Sequence, residues 1–182
     1  MADPATDAEI IEQVLDGDVE AFGVLVDRYQ DEFAAYARYM TGSEDEAADV
    51  IQESLVRAYR GLRRCRDPAN FKGWLFRIVS NQCKTHVTRH RRRAQLLAQA
   101  APEPAPSEQP DEAVQEADLR RQVHEALQEL PAEQREALVL RYVQGLSVGE
   151  MAKLLGASIS AVKMRLLRAR SALRERFEGV AL

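Results

Sequence analysis

Cysteine is scarce in this sequence, with only Cys65 and Cys83 in 182 residues. Two cysteines without a CxxC spacing are too few for a disulfide scaffold, so reduced thiols are the default. Long apolar runs are also missing: although 46% of the residues are hydrophobic, no stretch approaches the roughly 18 residues of a membrane span. The start, Met1-Ala2-Asp3-Pro4, has neither a basic stretch nor an apolar one, so no secretory signal is expected and the chain reads as soluble and cytoplasmic, with no membrane insertion. No nucleophile–base–orienter set, glycine-rich phosphate loop or HExxH occurs, which leaves enzyme chemistry without a candidate site and predicts no cofactor. Cys83, His86 and His90 fall at i, i+3 and i+7, a spacing that can put three ligands on one helical side. A fourth ligand is missing, the core accounts for Cys83 and a basic helix for the histidines, so no metal site is expected.

What is present is charge in blocks. The net charge of −4 hides them. Residues 1–56 carry 2 basic against 15 acidic side chains, and residues 57–93 carry 12 basic against the single acid Asp67. Residues 94–136 then carry 3 basic against 10 acidic, and residues 137–182 carry 8 against 3. Two basic blocks, each behind an acidic one, point to two separate polyanion-facing surfaces; the alternative for either block is a solvated helix face.

Every long segment has a helical period and none alternates as a strand would, so the fold class is all-α, and the length suits two small helical domains with two cores. Thr6-x-x-Glu9 fits a capping box before Ile10, Ile11, Val14 and Leu15, with Gly17 as the stop. Asp18 can cap a second helix whose stripe of Phe22, Leu25, Val26, Tyr29, Phe33, Tyr36 and Met40 runs to Gly42. A second box, Ser43-x-x-Glu46, opens a third helix with Ala47, Val50, Ile51, Leu55, Ala58 and Leu62 inward. Arg63 to Asn70, containing Asp67-Pro68, reads as a loop, and a fourth helix is expected from about Phe71 to about Arg92. From Ala98 to Gln115 the composition shifts to Ala, Pro, Glu and Gln, and Pro102, Pro104, Pro106 and Pro110 predict a flexible linker. Domain limits of 1–94, 95–116 and 117–182 follow. The last segment reads as a short helix capped by Ser147-x-x-Glu150 and closed by Gly156, then a longer basic helix from about Ile159 to about Phe177. That is the layout of a helix-turn-helix.

In the final helix Val162, Leu166, Ala169 and Leu173 form the packing face. The opposite face presents Ser160, Met164, Leu167 and Ser171, flanked by Lys163 and Arg168. A major-groove helix wants that mixture, because Arg or Lys reaches guanine O6 and N7 and an aliphatic chain touches a thymine methyl. A solvated basic helix or a dimer face is the alternative. Arg165, Arg170 and Arg174 read as phosphate contacts or surface charges. In the fourth helix Arg77, Asn81, Lys84, Thr88 and Arg91 step along one outward side, where Asn can read a base edge and the cations can hold phosphates. Trp74 and Phe71 are candidates for stacking on an unpaired base, although the register of Trp74 with Ile78 favours the core. The loop arginines Arg63, Arg64 and Arg66 and the adjacent Asn70 are placed to hold a flipped base and its phosphates, unless the loop is an ordinary connector. In the third helix Asp45, Asp49, Gln52 and Glu53 make a polar stripe. First-turn acids favour the helix dipole anyway, but Glu53 lies too deep for that, and an acidic patch on a DNA-directed protein suits a basic protein partner.

These residues resemble a known family, the extracytoplasmic-function (ECF) group of RNA polymerase sigma factors, over nearly the whole chain. Gly17-Asp18 with Ala21-Phe22, the run Asp45-Glu46-Ala47-Ala48-Asp49-Val50-Ile51-Gln52-Glu53, and Trp74 to Asn81 are similar to its region 2 signatures. Leu130-Pro131 through Arg170 is similar to region 4. Ala48 departs from the pattern, which more often has an acid there. The resemblance implies a sigma2-like domain, a linker and a sigma4-like helix-turn-helix domain. It implies that Asp45, Asp49, Gln52 and Glu53 meet the β′ clamp helices of core polymerase and that the C-terminal domain meets the β flap. The 63–70 loop and the fourth helix would capture the opened −10 element, the last helix would read the −35 element, and an anti-sigma factor would be a partner. The main competing reading is a stand-alone helix-turn-helix regulator with a ligand-sensing N-terminal domain, which predicts autonomous operator binding. A structural adaptor would leave both basic faces unexplained.

Overall fold

Helix starts in this chain are fixed by short polar side chains, and the computed structural model, which describes residues 5–98 and 112–178, shows them at work. Thr6 opens α1 (Asp7–Leu15) with both halves of its capping box, Glu9 N–H to Thr6 Oγ1 at 3.3 Å and Thr6 N–H to Glu9 Oε2 at 2.7 Å. Asp18 accepts from Ala21 N–H at 3.2 Å ahead of α2 (Ala21–Thr41), which stops at Gly42 with φ +91°. The box expected at Ser43 is only half formed. Ser43 Oγ accepts from Glu46 N–H at 3.4 Å to start α3 (Glu44–Gly61), but the Glu46 carboxylate turns to His86 Nε2 at 3.0 Å instead of back to its own cap. A short 3₁₀ turn at Leu62–Arg64 and another at Pro68–Asn70 lead into α4 (Phe71–Ala98).

α4 runs six residues beyond the expected end near Arg92, and α5 (Glu112–Glu129) begins inside the segment read as non-helical up to Gln115. Both extensions consist of good helix formers lying outside the proline tract, so nothing breaks the helix there. Pro102, Pro104, Pro106 and Pro110 lie outside the described residues. α6 (Ala132–Leu138) continues into a π-helical turn at Val139–Val143, after which come α7 (Val148–Leu155) and α8 (Ile159–Glu178). No strand occurs among the described residues.

Instead of the two separate cores expected, buried residues from both halves join one continuous apolar cluster, from Ile10 and Leu25 through Phe76 and Val79 to Leu138, Met151 and Val162. The halves also share buried polar contacts. The last carbonyls of α2 lack partners within the helix, and the C-terminal half supplies them: Gln128 Nε2 to Tyr39 O at 3.3 Å, Arg135 to Met40 O, and His124 Nε2 against Gly42 O at 3.0 Å. Gly42 is needed twice over, because its φ is left-handed and an added Cβ would lie 2.7 Å from the Gln128 side chain. Arg135, 2% exposed, also donates to Gln128 Oε1 and to Gln128 O. Burial, with Arg91 repelling it, lowers its pKa to about 10.

Candidate nucleic-acid interface

The four polar residues expected to meet polymerase all stand exposed on α3, because Ala47, Val50, Ile51, Ser54 and Ala58 turn the other side of the helix into the core. Ser54 fits there only because its hydroxyl returns to Val50 O at 2.6 Å. Asp45, Asp49 and Gln52 face solvent, and Glu53 makes an i,i+4 pair with Arg57 at 2.6 Å. Hydrogen bonding by Arg57 holds the Glu53 carboxyl below the usual range.

Arg64, Arg66, Asp67, Asn70, Trp74 and Arg77 line one cleft, and Arg63 is exposed beside it. Gly73 makes room for the Asn70 side chain, whose Oδ1 would lie 2.6 Å from an added Cβ. Trp74 is half-buried, stacked obliquely on Phe71 at 5.8 Å between ring centroids, with an edge at this cleft. It therefore satisfies both readings, core packing and an accessible aromatic surface. The far wall of the cleft comes from α7, through Glu150, Lys153 and Leu154.

Along α4, Arg77, Asn81, Thr88 and Arg91 are exposed. Lys84 is not free: its Nζ lies 2.7 Å from Oε2 of Glu136 on α6. Glu136 is fully buried, and its Oε1 accepts from Tyr36 Oη at 3.1 Å and Ser80 Oγ at 2.5 Å. The same burial pushes the Tyr36 hydroxyl well above its ordinary pKa and the Cys83 thiol up to about 12, with the Glu136 charge adding to both. Cys83 sits in the core, and the His86 and His90 rings stack at 6.4 Å between centroids. Charge patterning does not single out Arg135 and Glu136, since charged side chains read as solvated. Nothing local in the sequence marks them; in the structure residues 135–140 are buried without interruption, as in a helix covered on several sides.

In the helix-turn-helix, Ser147 and Glu150 close a complete capping box at 3.3 and 2.8 Å, Gly156 adopts φ +60°, and Ser158 Oγ accepts from Ala161 N–H at 3.1 Å to start α8. Val162, Leu166 and Ala169 pack inward, which leaves Ser160, Lys163, Met164, Leu167 and Arg168 outside. Leu167 is 58% exposed and Met164 46%, large apolar groups left open to solvent among the described residues. Arg165 differs from its neighbours: it is half-buried and pairs with Glu133 of α6 at 3.2 Å. Arg170 lies over the ring of exposed Tyr142 at 5.6 Å, a contact that the sequence pattern did not suggest.

Comparison with known proteins agrees with this layout. Residues 25–93 match Sigma-70 region 2 and residues 120–173 match Sigma-70, region 4. The chain is 31% identical over 188 aligned positions to the ECF RNA polymerase sigma-E factor of Haemophilus influenzae, covering 98% of each chain. It is 32% identical to the sigma-E factor of Escherichia coli, covering 95% of each. Among solved structures it is similar to CnrH in complex with the cytosolic domain of CnrY, with a TM-score of 0.64 and 30% identity over 96% of this chain and 99% of that one. It is also similar to the sigma factor RpoE in complex with the anti-sigma factor NepR from Bartonella quintana, with a TM-score of 0.59 and 25% identity over 89% of this chain and 99% of that one. With both region matches in order and near full-length similarity, the chain belongs to the sigma-70 family of RNA polymerase sigma factors, in its ECF group.

Proposed function

We propose that this protein brings core RNA polymerase to promoters and helps open them, with three surfaces dividing the work. Asp45, Asp49, Gln52 and Glu53 on α3 dock on the β′ clamp helices, and the C-terminal half engages the β flap. Arg63, Arg64, Arg66 and Asn70, with Trp74 at the cleft and Arg77, Asn81, Lys84, Thr88 and Arg91 along α4, take up the opened −10 strand. Ser160, Lys163, Met164, Leu167 and Arg168 read the −35 element in the major groove, and Arg165 contacts phosphate once it leaves Glu133.

The observation that carries this reading is the outer face of α8. It keeps two large apolar side chains in water between Lys163 and Arg168, behind a short capped helix and a glycine turn. Such exposure suits thymine methyls and guanine edges better than it suits solvent. The factor assists initiation and carries no catalysis of its own. Work of this kind is done in the cytoplasm, and among the described residues no helix is long and apolar enough to cross a membrane. An anti-sigma factor is a further partner, supported by the similar sigma factor RpoE solved in complex with the anti-sigma factor NepR.

The test is run-off transcription with purified core polymerase on genomic promoter fragments. The reading requires specific initiation only when the protein is added. Operator binding by the protein alone, without initiation, would favour a stand-alone regulator.

A further inference from the structure

Arg170 is held differently from the other paired arginines of α8. Arg165 faces Glu133 at 3.2 Å and Arg176 faces Glu129 at 3.3 Å, so in each case an acid offsets the charge. Arg170 instead meets a neutral partner: its guanidinium lies 5.6 Å from the centroid of the Tyr142 ring, and its Nη2 donates to the Tyr142 hydroxyl. The cation is oriented without being neutralised.

Tyr142 is held outward by its own turn. Gln144 N–H donates to Val139 O at 3.0 Å, the five-residue step of a π-helix, Leu146 N–H donates to Leu140 O at 3.0 Å, and Arg141 Nη1 donates to Leu146 O at 2.9 Å. Val139 and Leu140 stay in the core, and Tyr142 is left 61% exposed on a fastened backbone. A group fixed in this way costs little to order on binding. On α8, Arg170 shares one side with Lys163, Leu167 and Arg174, at steps of 4, 3 and 4, all exposed and flanking Met164 and Arg168. When the reading face enters a major groove, its flank lies beside the sugar-phosphate backbone. The Tyr142 hydroxyl adds a donor there: having accepted from Arg170 it still carries its own proton, and no acceptor among the described residues takes it.

We propose that Tyr142 and Arg170 together bind one DNA phosphate at the edge of the −35 site, the guanidinium donating through its other N–H groups and the Tyr142 hydroxyl donating beside it. The inference rests on the proposed −35 role of α8. It gives the turn after α6 a task of its own, fixing where α8 sits against the backbone, while base choice stays with Lys163, Met164, Leu167 and Arg168. Tyr142 therefore acts on affinity and not on sequence preference.

The test titrates holoenzyme, assembled from core polymerase and the full chain, on a promoter duplex taken from the run-off assay, with neutral methylphosphonate linkages placed one at a time across the −35 element. Tyr142→Phe keeps the ring beside Arg170 and removes only the hydroxyl. It should bind the unmodified duplex about fivefold more weakly than the parent, and Arg170→Ala about tenfold more weakly. In both variants the same single methylphosphonate should lose its penalty while the other linkages keep theirs, with an unchanged melting temperature and an unchanged −35 base preference. Variants that keep the full methylphosphonate profile of the parent, or that lose their penalties at different linkages, overturn the shared phosphate. A lowered melting temperature with unaltered DNA affinity also overturns it and makes the pair a strap within the fold. A parent holoenzyme indifferent to every methylphosphonate across the element would remove the proposed −35 role of α8, and this inference with it, whereas a variant-only failure leaves that role standing.

Discussion

Of the two long basic helices, α8 leaves Lys163, Met164, Leu167 and Arg168 open to solvent, whereas α4 gives Lys84 to the buried carboxylate of Glu136. In the sequence the two helices look alike, each with an inner apolar stripe and cations outside. The difference comes from the neighbour each one meets. α8 packs its stripe on the helices of its own half and keeps its outer side exposed among the described residues, while α4 lies at the junction where α6 and α7 arrive from far along the chain. Periodicity tells which side of a helix is apolar; whether the polar side is free depends on tertiary partners that periodicity does not encode.

The largest effect expected from breaking this junction is on stability. Arg135→Ala leaves Met40 O and Gln128 O buried at the interface without their donor, and urea unfolding should show a loss of about 3 kcal/mol. A loss within experimental error would mean that water readily replaces the guanidinium and that the junction is loosely held. Next comes polymerase docking. Asp49→Ala with Glu53→Ala should weaken core binding on the order of tenfold, with a slower and less salt-sensitive association, while the melting temperature stays put because both side chains are exposed. An unchanged affinity in a pull-down would remove the stripe from the interface.

On the α8 side, Arg168→Ala should cost about 1–3 kcal/mol at a cognate −35 site and relax specificity there, and Arg174→Ala should weaken all sequences alike. Equal losses on cognate and random DNA for both variants would show that the register assigned to α8 is wrong. The smallest effect belongs to the Ser147 cap. Ser147→Ala should lower the melting temperature by a few degrees. Ser147 holds the Glu150 carboxyl below its usual range, so that contribution is present at neutral pH and is lost as pH falls through the lowered value. The gap between Ser147→Ala and the parent protein should therefore narrow in acid, which melting curves at several pH values would show.

Much of this was legible in the sequence because it is local. The caps at Thr6 and Ser147, the stop at Gly42 and the inward stripe of α8 each depend on residues within a few positions of one another. The exposed stripe on α3 was readable for the same reason. Two features were not. The Ser43 box is half formed because Glu46 finds His86, and Lys84 is engaged because Glu136 finds it; both partners are distant in sequence. A buried Arg135-Glu136 pair looks in one dimension like any solvated dipeptide. The proline-rich composition pointed to loose coupling between domains, yet Tyr36, Met40, Ser80 and Lys84 all meet side chains of α6 across the junction.

That contact sharpens the central question, which is whether −10 and −35 are read by separate surfaces of one chain. The most direct measurement is promoter selection from libraries randomised separately around the two elements, transcribed by core polymerase with the parent protein or with its 63–70 loop exchanged for that of a relative. The account predicts a changed −10 preference with the −35 preference intact, because the loop lines the cleft with Asn70 and Trp74 while the reading face of α8 lies elsewhere. A shift in the −35 preference, or an unaltered −10 preference while transcription persists, would contradict it.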